Sequence, residues 1–241
     1  MPIYAHLADI NSQFYLMNLK KSFINFKKII ISFIFALVFQ GYSYGDIFYQ
    51  LGIGYSEGNS QSSNSIGGPY AGNIEGYKTD LGVGLTSKFL DLNVDYILQY
   101  SPIRNKVKAK NFCSNNSFAC GLNFKDNLEL GAKFFLPISY NEAIPAIYIG
   151  VANADIELKT NTRSGGAATS LYSSHDRIWG KTIGASVNRK LQTFNFDVSL
   201  DYTWTTFEKY RAKTEVGGGG EEITTAKPEI HLFSLKLKKY F

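Results

Sequence analysis

HLFSLKLKKYF, residues 231–241, is the stretch on which the fold turns. In an extended backbone, successive side chains point to opposite sides. His231, Phe233, Leu235, Leu237, Lys239 and Phe241 then share one face, whereas a helix would scatter them around its axis. Phe233, Leu235, Leu237 and Phe241 make an apolar stripe that runs to the last residue.

The same period of two recurs upstream, and no segment after residue 45 sustains a helical period. The alternation predicts eight strands, near 47–56, 77–89, 92–101, 122–136, 145–153, 177–188, 194–207 and 229–241. The connections alternate in length. Those at 57–76, 102–121, 154–176 and 208–228 are long; those at 90–91, 137–144 and 189–193 are short. An even number of strands with short turns at one end and long loops at the other is the pattern of a barrel that crosses an outer membrane. The expected fold is therefore all-β: an eight-stranded antiparallel up-and-down transmembrane β-barrel with four long surface loops.

A strand pair in lipid must satisfy every backbone group within the protein, so the sheet closes on itself and turns its apolar face outward. The apolar faces run, for example, through Ile47, Tyr49, Leu51, Ile53 and Tyr55, and through Phe194, Phe196, Val198, Leu200, Tyr202 and Trp204. Aromatic residues gather at strand ends. Tyr55, Tyr77, Tyr100, Phe124, Trp179 and Trp204 are expected at the outer rim, and Phe89, Phe134, Phe194 and Phe241 at the inner rim. Asp126, Lys181 and Lys239 break the outward pattern, but each falls near a strand end, where a charge costs about 0–1 kcal/mol instead of the ~2–4 kcal/mol of the bilayer midplane. The opposite faces carry Lys78, Asp80, Lys88, Asp95, Lys125, Glu129, Lys133, Asp197 and Asp201 among glycines. The interior of an eight-stranded barrel is just wide enough for side chains to fill. These charges are expected to pair there as a barrel-interior ion network, filling the lumen in preference to lining a pathway.

The other end of the chain reads as a secretory leader. Residues 17–45 place Lys20, Lys21, Lys27 and Lys28 ahead of an apolar run from Ile29 to Phe39, with small residues at Ser43 and Gly45. The apolar run is too short for a spanning helix, which needs about 20 residues. Residues 1–16 are an upstream extension without leader character, either Met1 or Met17 is the start, and 46–241 is the barrel domain. The first 45 residues hold four Lys, no Arg and one acid, which leaves 21 basic and 19 acidic residues in the remainder. The basic balance therefore belongs mostly to the leader and points to no nucleic-acid partner.

Residues that could carry chemistry are few. Cys113 and Cys120 lie in the second long loop, where an oxidising cell surface favours a disulfide within the loop. Closing about eight residues this way restricts the open chain by ~2.5 kcal/mol. Without matching His or Asp neighbours the pair makes a poor metal site. Beside it runs a basic stretch, Arg104, Lys106, Lys108 and Lys110, suited to acidic lipopolysaccharide or acidic host glycans. Ser174-His175-Asp176 are contiguous, which does not set three side chains in a relay, and His231 and Ser234 point to opposite faces. No cofactor loop and no catalytic constellation is expected: Gly52-Ile-Gly54 and Gly82-Val-Gly84 lack a third glycine and a following helix.

In its leader, loop alternation, aromatic girdles and terminal Phe, the chain over residues 46–241 resembles the small opacity-type and OmpX-type outer-membrane barrels. The resemblance implies that Phe233, Leu235, Leu237 and Phe241 serve as an insertion signal read by the barrel-insertion machinery. The final aromatic pair departs slightly from that pattern, with Tyr240 one place off the usual third-from-last position. It further implies residence in the bacterial outer membrane among lipid and lipopolysaccharide, host surface molecules as partners, and a structural or adhesive role of the surface loops. A narrow channel is the alternative, and a lipid-modifying enzyme is a third reading.

Overall fold

The computed structural model describes residues 46–64, 70–102, 118–164, 167–191, 196–216 and 220–241. The chain divides into Met1–Tyr44 and Gly45–Phe241. The described residues all belong to the second unit, so the expected leader and upstream extension lie outside them.

The strands are β1 (Ile47–Asn64), β2 (Tyr70–Phe89), β3 (Leu92–Pro102), β4 (Phe118–Phe135), β5 (Ala143–Ser164), β6 (Ala167–Leu191), β7 (Phe196–Phe207), β8 (Tyr210–Val216) and β9 (Gly220–Tyr240). Each pairs antiparallel with its neighbour, and β9 pairs with β1 to close the sheet. β8 pairs only with the first part of β9 and continues β7 after a break at 208–209, so nine segments build eight staves. Register partners can be followed once around, from Ile47 through Leu85, Tyr96, Ala132, Ile149, Ile183, Trp204 and His231. The path returns to β1 at Glu57, ten residues further along. That stagger tilts the staves, as closure of a sheet requires.

Two of the short turns are left-handed at both central residues: Leu90 and Asp91, with φ 49° and 65°, and Asn141 and Glu142, with φ 48° and 64°. Such turns match the twist of a two-residue hairpin. Asn and Asp tolerate this region; Leu90 and Glu142 do so at a cost.

Three of the four expected long loops are corrected. β1 and β2 stay paired to Ser62 and Tyr70, β5 and β6 to Ser164 and Ala167, and β8 and β9 to Val216 and Gly220. Most of 57–76, 154–176 and 208–228 is therefore two-stranded ladder. Apolar alternation fades where water wets the outward face, but backbone pairing does not need it. Of 102–121, residues 103–117 fall outside the described residues, and with them Cys113 and the basic run at Arg104, Lys106, Lys108 and Lys110. Phe194, an expected inner-rim residue, also falls outside them.

The upper part departs from a single wall. The β6–β7 ladder stops at Gly180 and Phe207, and the β2–β3 ladder at Leu81 and Tyr100. Above these points the described ladders form two ribbons, β2-β1-β9-β8 and β4-β5-β6. Glu208 marks one parting point. Its N–H donates to the Trp179 carbonyl at 2.8 Å, and its carboxylate accepts the Trp179 N–H at 2.9 Å.

Candidate functional site

Burial around the lower barrel is inverted relative to a soluble protein. Ile53, Val83, Ile149, Ile183, Leu200 and Phe233 project outward and are exposed, while lysines and carboxylates of the same barrel wall are buried. Parity explains this: the even positions of β1, β2, β5, β6 and β9 point inward, as do the odd positions of β7.

The buried charges form two ion-pair clusters. Lys236 of β9 lies centrally, with its Nζ 3.1 Å from Asp201 Oδ2 and 4.0 Å from Asp80 Oδ2, and it donates to Gln99 Oε1 at 3.0 Å. Lys133 reaches Asp201 Oδ1 at 3.1 Å and donates to Asn188 Oδ1 at 3.3 Å. Lys78 lies 3.4 Å from Asp80 Oδ1, which also accepts Ser101 Oγ–H at 2.7 Å. Nearer the turns, Lys238 joins Asp95 at 2.8 Å and Asp197 at 3.5 Å, and Tyr240 donates to Asp197 Oδ2 at 3.0 Å. The Lys238 ammonium also lies over the rings of Phe48, Phe135 and Tyr240, at 4.6–5.2 Å from their centres. Glu129 accepts from Asn127 Nδ2 at 3.4 Å.

Of the expected ion network, Lys78, Asp80, Asp95, Lys133, Asp197 and Asp201 are brought into ion pairs, while Glu129 is buried beside them against Asn127. Two of its members are corrected. Lys88 is exposed near the Leu90–Asp91 turn, where the wall ends. Lys125 is exposed because a register shift between Phe124 and Asp126 leaves it as the extra residue of a bulge. The same bulge turns Phe124 inward, so it belongs to the interior and not to the outer rim. Sequence reading passed over Lys236 and Lys238. Their signal was the alternation already used for Leu235 and Leu237, read on the opposite face.

Above the charges the interior turns apolar. Ile74, Leu122, Phe124, Ile156, Ile178 and Phe207 pack as one buried cluster with Ala152, Ala154, Tyr210 and Ala226. The Phe124 and Phe207 rings lie 5.5 Å apart. Gly180 makes this possible, since a Cβ there would sit 2.8 Å from the Phe207 ring.

The outward face changes in the opposite sense. The exposed row Tyr202, Phe233, Tyr55, Tyr77 runs in register across four strands, with ring centres 4.9 Å apart at Tyr202–Phe233 and 5.4 Å at Tyr55–Tyr77. His231 joins this rim, accepting from or donating to Tyr202 Oη at 2.7 Å and stacking on Trp204. Beyond it, on β4, β5 and β6, charges appear. Arg177 lies 2.8 Å from Asp126 and donates Nε–H to Asn153 Oδ1 at 2.6 Å. His175 Nδ1 is 2.9 Å from Asp155, its Nε2 contacts Lys125 Nζ, and Lys125 is 3.8 Å from Glu157. Asp176 accepts the Arg177 N–H at 2.7 Å. Burial pushes the Asp176 carboxyl up from the usual carboxylate range, with the Arg177 N–H opposing the rise and Asp155 adding to it. His175 is engaged by Asp155 and a lysine, and its described partners include no hydroxyl or thiol nucleophile. Among the described residues no His, Cys, Asp or Glu cluster is arranged to hold a metal ion. At the other end, Lys239 lays its ammonium over Phe196, 5.1 Å from the ring centre.

No protein-family model matches the chain, and no curated protein matches it. Among solved structures it is similar to Neisserial surface protein A, at 13% identity over 80% of this chain and 97% of that one, with a TM-score of 0.38. It is also similar to a major outer membrane protein from Thermus thermophilus, at 12% identity over 80% and 99% of the two chains, TM-score 0.44. A third is the outer membrane protease OmpT from Escherichia coli, at 8% identity over 81% and 97%, TM-score 0.37. These neighbours are outer-membrane barrels of differing roles, and a shared architecture does not select among roles.

Proposed function

We propose that this chain is an outer-membrane β-barrel whose role, structural or adhesive, is exercised by the ribbons that project above the aromatic rim. One observation carries the reading: the wall is apolar outside and charged inside. In water such a surface would far exceed the exposed apolar patch a soluble monomer tolerates. In lipid it is the arrangement that closed sheets require. The rim of Tyr55, Tyr77, Tyr100 and Trp204 suits one interface, and Phe89 and Phe241, with Lys239 at the same end, suit the other.

On this reading, residues 17–45 act as a cleaved leader. Phe233, Leu235, Leu237 and Phe241 guide insertion by the barrel-insertion machinery. The ribbons meet lipopolysaccharide and host surface molecules, and the basic run at 104–110 and a Cys113–Cys120 disulfide contribute there. An enzymatic role has less support, because the described histidines are engaged by Asp155 and Lys125 or by rim aromatics. A narrow channel for small solutes has less support too, because buried side chains fill the lumen.

The direct test is migration of unheated and heated outer-membrane fractions in a detergent gel. A folded barrel shifts its apparent mass on boiling; an unshifted band sinks the membrane reading. Binding of cells or matrix by variants trimmed at the ribbon tips then tests the surface role. Unchanged binding with all tips removed would exclude adhesion through them.

A further inference from the structure

The interior is stratified, and the two strata differ in how they treat an ion. We infer that the apolar cluster around Phe124 and Phe207 is a plug that seals the lumen to ions, and that this plug, not the ion-pair layer beneath it, decides whether the barrel conducts. The inference rests on the membrane-barrel reading above.

The lower stratum is reachable from the turn end. Two cavities of about 380 and 430 Å³ open at the turn end, sharing Thr86, Phe135, Ile144, Asp197 and Tyr240 in their lining. They lead to the Lys238 cluster. Each central lysine already has two carboxylates in reach: Lys236 has Asp80 and Asp201, and Lys238 has Asp95 and Asp197. Asp197 Oδ1 and Asp80 Oδ2 are buried without a hydrogen-bond partner, so each retains capacity to accept. A small ion that enters the turn-end cavities therefore meets charged groups able to exchange partners with it.

The upper stratum offers no such exchange. A cavity of about 30 Å³ marks the boundary, with Ser56, Lys78, Asn127, Thr203 and Thr205 on its polar side and Phe124, Phe207 and Leu232 on its apolar side. Its size suits a water molecule held by polar partners. Beyond it lie aliphatic and aromatic side chains contributed by β2, β4, β5, β6, β7, β8 and β9. An apolar constriction of this kind stays dry and blocks ions without any charge of its own. The plug also lies where the β6–β7 ladder has ended, so side chains close the bore there in place of backbone pairing.

Planar-bilayer recording of the refolded full chain tests this. The wild type should give a flat trace. The Phe124→Ser/Phe207→Ser variant should give discrete current steps, while Lys236→Gln, which disturbs the ionic layer and leaves the plug intact, should stay flat. Heat-modifiable migration checks that each variant is folded. If the double variant does not fold, single Phe207→Thr, which matches its neighbours Thr203 and Thr205, takes its place with the same expected steps. A folded plug variant with a flat trace overturns the inference, and so does conduction by Lys236→Gln. A wild-type chain without heat-modifiable migration overturns the membrane reading itself, and the plug with it.

Discussion

The lower and upper halves of the barrel are made from the same strands and follow opposite rules. Below the aromatic rim, Leu200 and Leu235 face out while Asp201 and Lys236 face in. Above it, Asp126, Asp155 and Arg177 face out while Ile74, Ile156 and Phe207 face in. Strand chemistry alone does not explain the exchange. On the membrane reading the medium does: lipid takes the apolar face in one half, and water takes the charged face in the other. β4 makes the change with a bulge at Lys125, so that Phe124 and Asn127 both point inward across an odd spacing.

The sharpest way to break the contrast is to remove one charge from the lower interior. Asp201 holds both Lys133 and Lys236, so Asp201→Ala strands the buried Lys133 ammonium and leaves Lys236 with Asp80 alone at 4.0 Å. The expected loss is about 3–5 kcal/mol, read as a lowered urea midpoint for unfolding from lipid vesicles. Next comes the lower exterior: Leu200→Arg should cost ~2–4 kcal/mol in the same titration, because the charge enters hydrocarbon. A cost near zero would place that face in water. The turn is a smaller, opposite effect. Leu90→Gly relieves a left-handed backbone on an exposed residue and should gain roughly 1 kcal/mol in that titration. The smallest effect belongs to the upper exterior, where Arg177→Ala removes an exposed ion pair with Asp126 and should cost about 0.2–1 kcal/mol, shrinking further in high salt.

The same contrast explains what could be read from the sequence. Alternation such as that of residues 231–241 is strong only where one face meets lipid and the other a polar lumen, so the eight staves and their outward faces were legible at that level. Higher up, in stretches such as GNSQSSN at 58–64, both faces are polar or small and the period vanishes, although the ladder persists. The bulge was invisible for a different reason. One extra residue in FKDN, 124–127, leaves no mark in composition yet reverses the faces of all that precedes it. Lys236 and Lys238 were visible in principle, but the apolar residues beside them drew the assignment of that strand to its lipid side.

The ending of the β6–β7 ladder at Gly180, with Glu208 closing off Trp179, has an evolutionary consequence. Above that point, among the described residues, no backbone ladder locks one ribbon to the other in a common register. A residue gained or lost at the tip of one ribbon leaves the pairing of the other, and of the cylinder below, in place. The exposed part of such a chain is free to drift in length and sequence under selection while the cylinder that carries it stays constant.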